Sequence, residues 1–487
     1  MLRAPAPILW SLLVIACWPA HAKPKFKASE VPGRGAELIT CDLDGDGLQD
    51  LVLLDDLDLS VFYQDRTQGF TRQPQQTYRL ERRPCLVWAA RLGRPAESLL
   101  VMTSDGVNEL CFTNRTGPPA LRLIIRQRTI LPDAAEDTNA MRLSMSAETG
   151  RGWPLLLVPV EDGLEVWQHL DQWCQAQFLG HSMDASLRPS LANPGYTKSL
   201  GLDFSVGDLN NDGRDDLVIR RGDVGRTNTY SIYFQQTNGL FSAEPALTYA
   251  DKQEPHSWLC WADLNRDGKV DLIKSRWLDE PSFVPGLSSG KVLVRTFMAD
   301  AQGRIAAQPR QVFRKNDWTP ALPVVDVDGD GFPDLVLGYS QMDTREGLRK
   351  EFTAKQLDYG LKFYFCRPGA GFPQEADCQQ DVVIHLNQAD LVLTWGRREY
   401  FQHCVSLDGD FGGSGRKDLL VRDHSDRISV YFFVSRERGF SLKPDLQFSC
   451  PEQIEEWVVK DLNNDGVSDL IVKLSHNNGY RIFLSQK

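Results

Sequence analysis

The sequence predicts an all-β chain: a β-propeller of about eight four-stranded blades, or alternatively seven, with calcium-binding loops. Three observations predict it. An acidic nine-residue phrase recurs five times, as DLDGDGLQD from Asp42, DLNNDGRDD from Asp208, DLNRDGKVD from Asp263, DVDGDGFPD from Asp326 and DLNNDGVSD from Asp461. Each phrase runs into a short apolar segment (DLVLL, DLVIR, DLIKS, DLVLG, DLIVK) that reads as a buried strand. Farther on, a third strand and a Gly-aromatic turn recur in LSVFYQDRTQGF, SIYFQQTNGLF, LKFYFCRPGAGF and ISVYFFVSRERGF. A unit built this way cannot bury both faces of its small sheet, so the units must stack on one another.

Within each phrase, carboxylate or amide oxygens stand at positions 1, 3, 5 and 9, and a Gly at position 6 lets the backbone turn so that they converge. Hard oxygen ligands in a flexible loop suit Ca²⁺ better than Mg²⁺, which demands a tighter octahedron. An EF-hand would need a bidentate Glu at position 12, where this chain has Leu53, Ile219, Lys274, Leu337 and Val472. Strand-like pieces (ELITC, LDFSVG, SWLCWA, ALPVV, EEWVVK) precede the loops instead, so each loop joins two neighbouring strands.

Degenerate copies fill the gaps between the intact loops. DFGGSGRKD, Asp410 to Asp418, keeps positions 1, 6 and 9 but has Gly412 and Ser414 where ligands belong; it reads as a turn held by Asp side chains on backbone N–H groups. CLVWAARLGRPAESLLVM and MRLSMSAETGRGWPLLLVPV keep the strand rhythm and lose the carboxylates. Counting them gives eight units with a period of roughly 50 to 60 residues, close to that of propeller blades. The segment PKFKASE, Pro24 to Glu30, is expected to complete the last blade, whose final strand YRIFLSQK lacks an outer neighbour.

The phrase D-x-[DN]-x-DG-x-x-D-[LI], followed by strands and a Gly-Phe turn, resembles the FG-GAP/VCBS repeat family, which includes the amino-terminal propeller of integrin α chains. The resemblance covers nearly all of the chain after residue 30. It implies calcium ligands at Asp42, Asp44, Asp46 and Asp50; Asp208, Asn210, Asp212 and Asp216; Asp263, Asn265, Asp267 and Asp271; Asp326, Asp328, Asp330 and Asp334; and Asp461, Asn463, Asp465 and Asp469. It also implies a backbone carbonyl at position 7, from Leu48, Arg214, Lys269, Phe332 and Val467. About five structural Ca²⁺ ions follow. No clear Phe-Gly followed by Gly-Ala-Pro survives in the chain. Clustered carboxylates repel one another unless a cation neutralises them, and the formal net charge of -11 is largely made in these loops.

Residues 1–22 read as a secretory signal: Arg3, the apolar ILWSLLVIACW, Pro19 and an A-x-A site ending at Ala22. The alternative is a bacterial lipoprotein signal ending before a lipidated Cys17. Either way residues 23–487 form one propeller domain outside the cytoplasm, secreted, periplasmic or at the cell surface, and no other stretch reaches the roughly 18 apolar residues of a membrane span. The cysteines are too few and scattered for a disulfide scaffold; Cys366 and Cys378 are the pair expected to bridge, while Cys41, Cys85, Cys260 and Cys404 read as buried thiols.

The acidic balance disfavours nucleic acid, which wants a basic face. No nucleophile elbow, phosphate loop or H-E-x-x-H occurs, and the histidines after residue 22 share no spacing. Trp88, Trp258, Trp261 and Trp457 read as core, whereas Trp153, Trp173, Trp277, Trp318 and Trp395 lie near loops where a sugar or peptide could stack. Partner binding is expected on three insertions, from Arg276, from Gly338 (with a short helix between Thr344 and Leu357) and from Leu386. The expected activity is non-catalytic binding of an extracellular protein or glycan. Some polysaccharide lyases resemble this design, which makes a calcium-dependent lyase one alternative; a lipid-anchored envelope scaffold is the other.

Overall fold

The computed structural model describes residues 23–486 apart from 34–36, 113–114, 131–144, 150–152, 181–185, 190–197, 202–203, 222–226, 253–256, 279–291, 316–323, 341–354, 386–403 and 476–478. The signal segment with Cys17, and most of the three insertions, lie outside the described residues. Leu357, placed at the end of a short helix by the sequence, lies in the strand Gln356–Tyr364, and the described residues contain no α-helix.

Blade 1 takes its strands in sequence order, Glu37–Cys41, Asp50–Asp55, Asp58–Phe62 and Gln76–Arg79, all antiparallel. The same meander recurs over residues 86–126 (blade 2), 146–180 (blade 3), 204–252 (blade 4), 257–315 (blade 5), 335–385 (blade 6), 405–449 (blade 7) and 454–486 (blade 8). Blade 6 has three full strands, its first reduced to a bridge between Val325 and Asp334. First strands of neighbouring blades approach one another in blades 1 and 2, 3 and 4, and 7 and 8, which sets them around the axis. Lys25–Val31 pairs antiparallel with Tyr480–Gln486 as the fourth strand of blade 8, as the sequence predicts. Phe26 lies edge-on to Phe448 at 4.9 Å, fastening that strand to blade 7.

The apolar runs are continuous because each blade is buried on both faces. Successive residues of a strand point to opposite sides. Val52 and Leu54 accordingly pack with Leu99 and Val101 of blade 2, whereas Leu51 and Leu53 pack with Ile471 and Ile482 of blade 8. Eight buried clusters result, one for each neighbouring pair of blades, including blade 8 against blade 1. A closed ring of eight blades has eight such interfaces, so seven is excluded. Each fully buried Leu or Val contributes about 1.5–3 kcal/mol.

The same alternation overturns the expected disulfide. Cys378 stands opposite Phe363 in the ladder and packs with the cluster between blades 6 and 7, while Cys366 sits with Tyr364 in the cluster between blades 5 and 6. The two thiols therefore occupy opposite sides of one sheet. All nine described cysteines are free. Burial raises the Cys366 thiol to about 11 and that of Cys378 to about 12, which keeps both protonated at neutral pH. Alkylation of the unfolded, unreduced chain is expected to label every one of these cysteines by mass spectrometry; a pair protected until reductant is added would contradict this arrangement.

Candidate metal-binding loops

Six loops, the five intact phrases and the copy at Asp410, share one hydrogen-bond scheme. The position-1 carboxylate accepts the N–H of the position-6 glycine, as in Asp42 with Gly47 at 3.1 Å and Asp326 with Gly331 at 2.8 Å, and its other oxygen accepts an N–H from position 4 or 5. In the five intact loops the position-3 oxygen accepts the N–H of position 5, and the position-5 carboxylate that of position 7. These closures require left-handed backbone at positions 4 and 6. Position 6 is always Gly; position 4 is Gly45, Asn211, Gly329, Gly413 or Asn464, residue types that tolerate positive φ, with Arg266 at φ 56° as the exception. Position 4 thus carries a conformational signal that the phrase shows openly and that the ligand pattern alone overlooks.

The position-9 carboxylates, Asp50, Asp216, Asp271, Asp334, Asp418 and Asp469, are all buried. One oxygen accepts the N–H of position 2 and the other the N–H of a residue just after the third strand: Gln64, Gln235, Ala299, Cys366 and Phe433, or Ser485 within that strand in blade 8. Each is therefore a clamp between loop and third strand. Burial first, then the neighbouring carboxylates, raise these groups against the pull of the backbone donors, to about 8 for Asp50, about 7 for Asp334 and Asp418, and about 6 for Asp216, Asp271 and Asp469.

In two loops the carboxylates also converge. Oxygens of Asp42, Asp44 and Asp50 lie within 4.8 Å of one another, and so do those of Asp326, Asp328 and Asp334. An oxygen that accepts one N–H retains a lone pair, so these sets suit a hard cation. Positions 5, Asp46 and Asp330, stand outside the convergent sets. In the other three loops Asn210, Asn265 and Asn463 leave fewer carboxylates at the turn.

Both convergent loops carry an arginine from the next blade. Arg115, in the turn between the third and fourth strands of blade 2, bonds Asp44 at 2.5 Å and Asp46 at 3.1 Å and lies over the Tyr63 ring at 5.2 Å. Arg436, in the matching turn of blade 7, bonds Asp328 and Asp330 and lies over Phe365 at 5.6 Å. The partners are 69 to 108 residues apart, so no local pattern reveals them.

Backbone hydrogen bonds also tie loop to loop. Gln49 N–H reaches Leu462 C=O at 2.7 Å, Glu97 reaches Asp42 at 2.6 Å, Lys417 reaches Val327 at 2.8 Å and Ser468 reaches Asp410 at 2.8 Å, linking blades 6, 7, 8, 1 and 2 in sequence.

The loops that lost their acids gained other fillings. In blade 2, Ser98 takes the place of the closing Asp, and the Arg94 guanidinium bonds its Oγ at 2.6 Å together with the buried Glu109 carboxylate, so a protein cation fills the turn. In blade 3, Trp153 lies against Gly93 of blade 2 and stacks on His169 at 3.6 Å, with Trp173 edge-on to both. Trp153 is thereby covered on its ring and serves as a plug between blades. Trp88 is core, as expected; Trp318 and Trp395, and the side chains of Trp258 and Trp277, lie outside the described residues.

Two family models agree with the architecture. Residues 197–273 match the FG-GAP-like repeat and residues 318–347 the FG-GAP repeat. No curated protein sequence matches significantly. Among solved structures, an Agrocybe aegerita lectin that recognises non-reducing terminal N-acetylglucosamine is 14% identical, over 72% of this chain and 85% of its own, with a TM-score of 0.40. BBS1N in complex with ARL6DN is 10% identical over 94% of this chain and 93% of its own, with a TM-score of 0.38. The Photorhabdus luminescens Tc holotoxin pore is 16% identical over 93% of this chain, which spans 19% of that toxin chain, with a TM-score of 0.34. Among the described residues no helix is long and apolar enough to cross a membrane.

Proposed function

We propose that this chain, an FG-GAP-repeat β-propeller, is a calcium-stabilised binding module that works outside the cytoplasm, engaging a protein or glycan partner without catalysis. The observation that carries the reading is the use made of the buried carboxylates. Carboxylates with strongly raised pKa values are the first candidates for acid–base work. Here all six accept backbone donors that close a turn, a structural role repeated blade after blade. The convergent sets of blades 1 and 6 are the strongest cation sites on the same grounds, with the loops of blades 4, 5 and 8 completing about five. Ca²⁺, where bound, supplies positive charge that relieves the repulsion among these acids. Asp42, Asp44 and Asp50, and Asp326, Asp328 and Asp334, would hold it.

The reading of residues 1–22 as an export segment supports a site of action where Ca²⁺ is abundant enough for sites of modest affinity. Capture by the mature protein of one specific extracellular protein or glycan, with Ca²⁺ present and no turnover, is the expected result. Release of unsaturated product from an acidic polysaccharide would reject the reading in favour of an enzyme.

A further inference from the structure

A groove between blades 1 and 2 lies at the end of the ring opposite the acidic loops. It encloses about 560 Å³, within the range of ligand pockets. One wall is the segment Leu80 to Arg82 leaving blade 1; the other is the fourth strand of blade 2, Ala120–Arg126, with the hairpin at Asp105. Leu121 and Leu123 stand at alternate positions on that strand and are 39% and 41% exposed. Arg82 is tied to Asp105 at 2.6 Å. Arg126 and Arg128 border the same groove, exposed, and make no ion pair among the described residues. Among the described residues Glu81 is then the one acidic side chain of the lining left to face two guanidinium groups, in a chain whose formal net charge is -11.

We propose that this groove binds an extended peptide segment of a partner protein whose groove-facing side chains, every second residue, are aliphatic beside the leucines and acidic beside the arginines. The assignment rests on the reading of the propeller as a binder. Alternate side chains of an extended peptide recur about every 6.8 Å, the repeat that separates Leu121 from Leu123 on their own strand. Among the described residues the fourth strand of blade 2 pairs with the third on one side and with no strand on the other, so its free edge offers main-chain donors and acceptors to an added strand. The peptide's aliphatic side chains lie over the two leucines, and its carboxylates meet Arg126 and Arg128, which form bidentate pairs with carboxylate. Among the described residues the lining has no aromatic ring for a sugar face to stack on, which favours peptide over glycan.

The test uses the intact protein and a fluorescein-labelled heptapeptide with glutamate at its first and seventh positions, leucine at its third and fifth and serine between, so that leucines and glutamates share one face of the extended strand in either direction. The same peptide with lysine in place of glutamate, the same peptide with serine in place of leucine, and an oligogalacturonide serve as competitors. The leucine–glutamate peptide is expected to bind in the micromolar range, about 10–100 µM, and to weaken as salt rises. Affinity should fall at least about tenfold in Arg126→Glu/Arg128→Glu and again in Leu121→Ser/Leu123→Ser, all exposed positions whose substitution leaves melting unchanged. Equal binding by the parent chain and the charge-reversed variant overturns the proposal, as does displacement by the lysine peptide. Binding of oligogalacturonide in place of the peptide assigns the groove to an acidic glycan and overturns it too. If the charge-reversed variant captures the native partner as the parent chain does, the groove assignment falls while the binding role stands; polysaccharide cleavage removes the binding role itself.

Discussion

Replacing Asp418 by alanine is expected to be among the most destabilising single substitutions in the chain, although the site belongs to the loop with the fewest acids. Its carboxylate accepts three N–H groups, from Phe411 at 2.7 Å, Gly412 at 2.9 Å and Phe433 at 3.0 Å. Alanine strands all of them in the interior. A buried donor left without an acceptor costs about 1–3 kcal/mol, and water entering the turn recovers part of that, so a net loss of about 3–5 kcal/mol is expected. Asp418→Asn keeps one oxygen and turns a donor toward a donor; about half that loss should follow. Urea unfolding checks both, through a lower midpoint at unchanged slope. The deficit should be the same with calcium or chelator. A shift below about 0.5 kcal/mol for the alanine variant would refute the clamp role.

The pH dependence has a definite sign. Burial raises the Asp418 carboxyl to about 7, above its unfolded value of about 4. A group raised in the folded state adds stability that is complete below the unfolded pKa and lost as pH climbs through the folded one. The gap between parent and alanine variant should therefore widen as pH falls from about 8 towards about 4.

Chelation is expected to have the second large effect. An ion bound only by the native state at a free concentration of 100 Kd stabilises it by about 2.7 kcal/mol per site. With about five sites, removal should cost several kcal/mol and lower the melting temperature by several degrees or more. Superimposable melting curves with and without chelator would rule out structural calcium.

Much of the construction was legible in the phrase itself. Spacing of Asp, Gly and apolar residues is local, and it identified the loop, the strands on either side and the strand at Pro24 that completes the last blade. The blade count was open between seven and eight until the pairing of interfaces was visible, since degenerate copies conceal their start and end. The arginines over Tyr63 and Phe365 and the contact of Trp153 with Gly93 join blades that only the ring brings together, while the guanidinium of Arg94 in the turn of blade 2 and the stack of Trp153 on His169 depend on strand pairing within one blade. Position 9 carries a second role that spacing does not show: Asp50 and its counterparts, expected as ligands, also hold two backbone segments through their oxygens. The mispaired Cys366 and Cys378 fail for a related reason, because a short Gly/Pro-rich loop suggests closeness and strand parity sends the side chains apart.

The pairing of Lys25–Val31 with Tyr480–Gln486 has a consequence for the order of assembly. Glu30 meets Arg481 at 2.9 Å across a separation of 451 residues, among the most distant contacts a chain of this length can make. During synthesis the first strand must wait, unpaired, while seven blades are laid down, and the last sheet cannot be completed before the final strand has emerged. Loop closure of this span is slow, and until it happens the strand Tyr480–Gln486 is an open edge able to recruit another chain. Ring completion is thus the step at which folding and aggregation compete, and once made it leaves blade 8 without the free end from which the other blades could begin to peel.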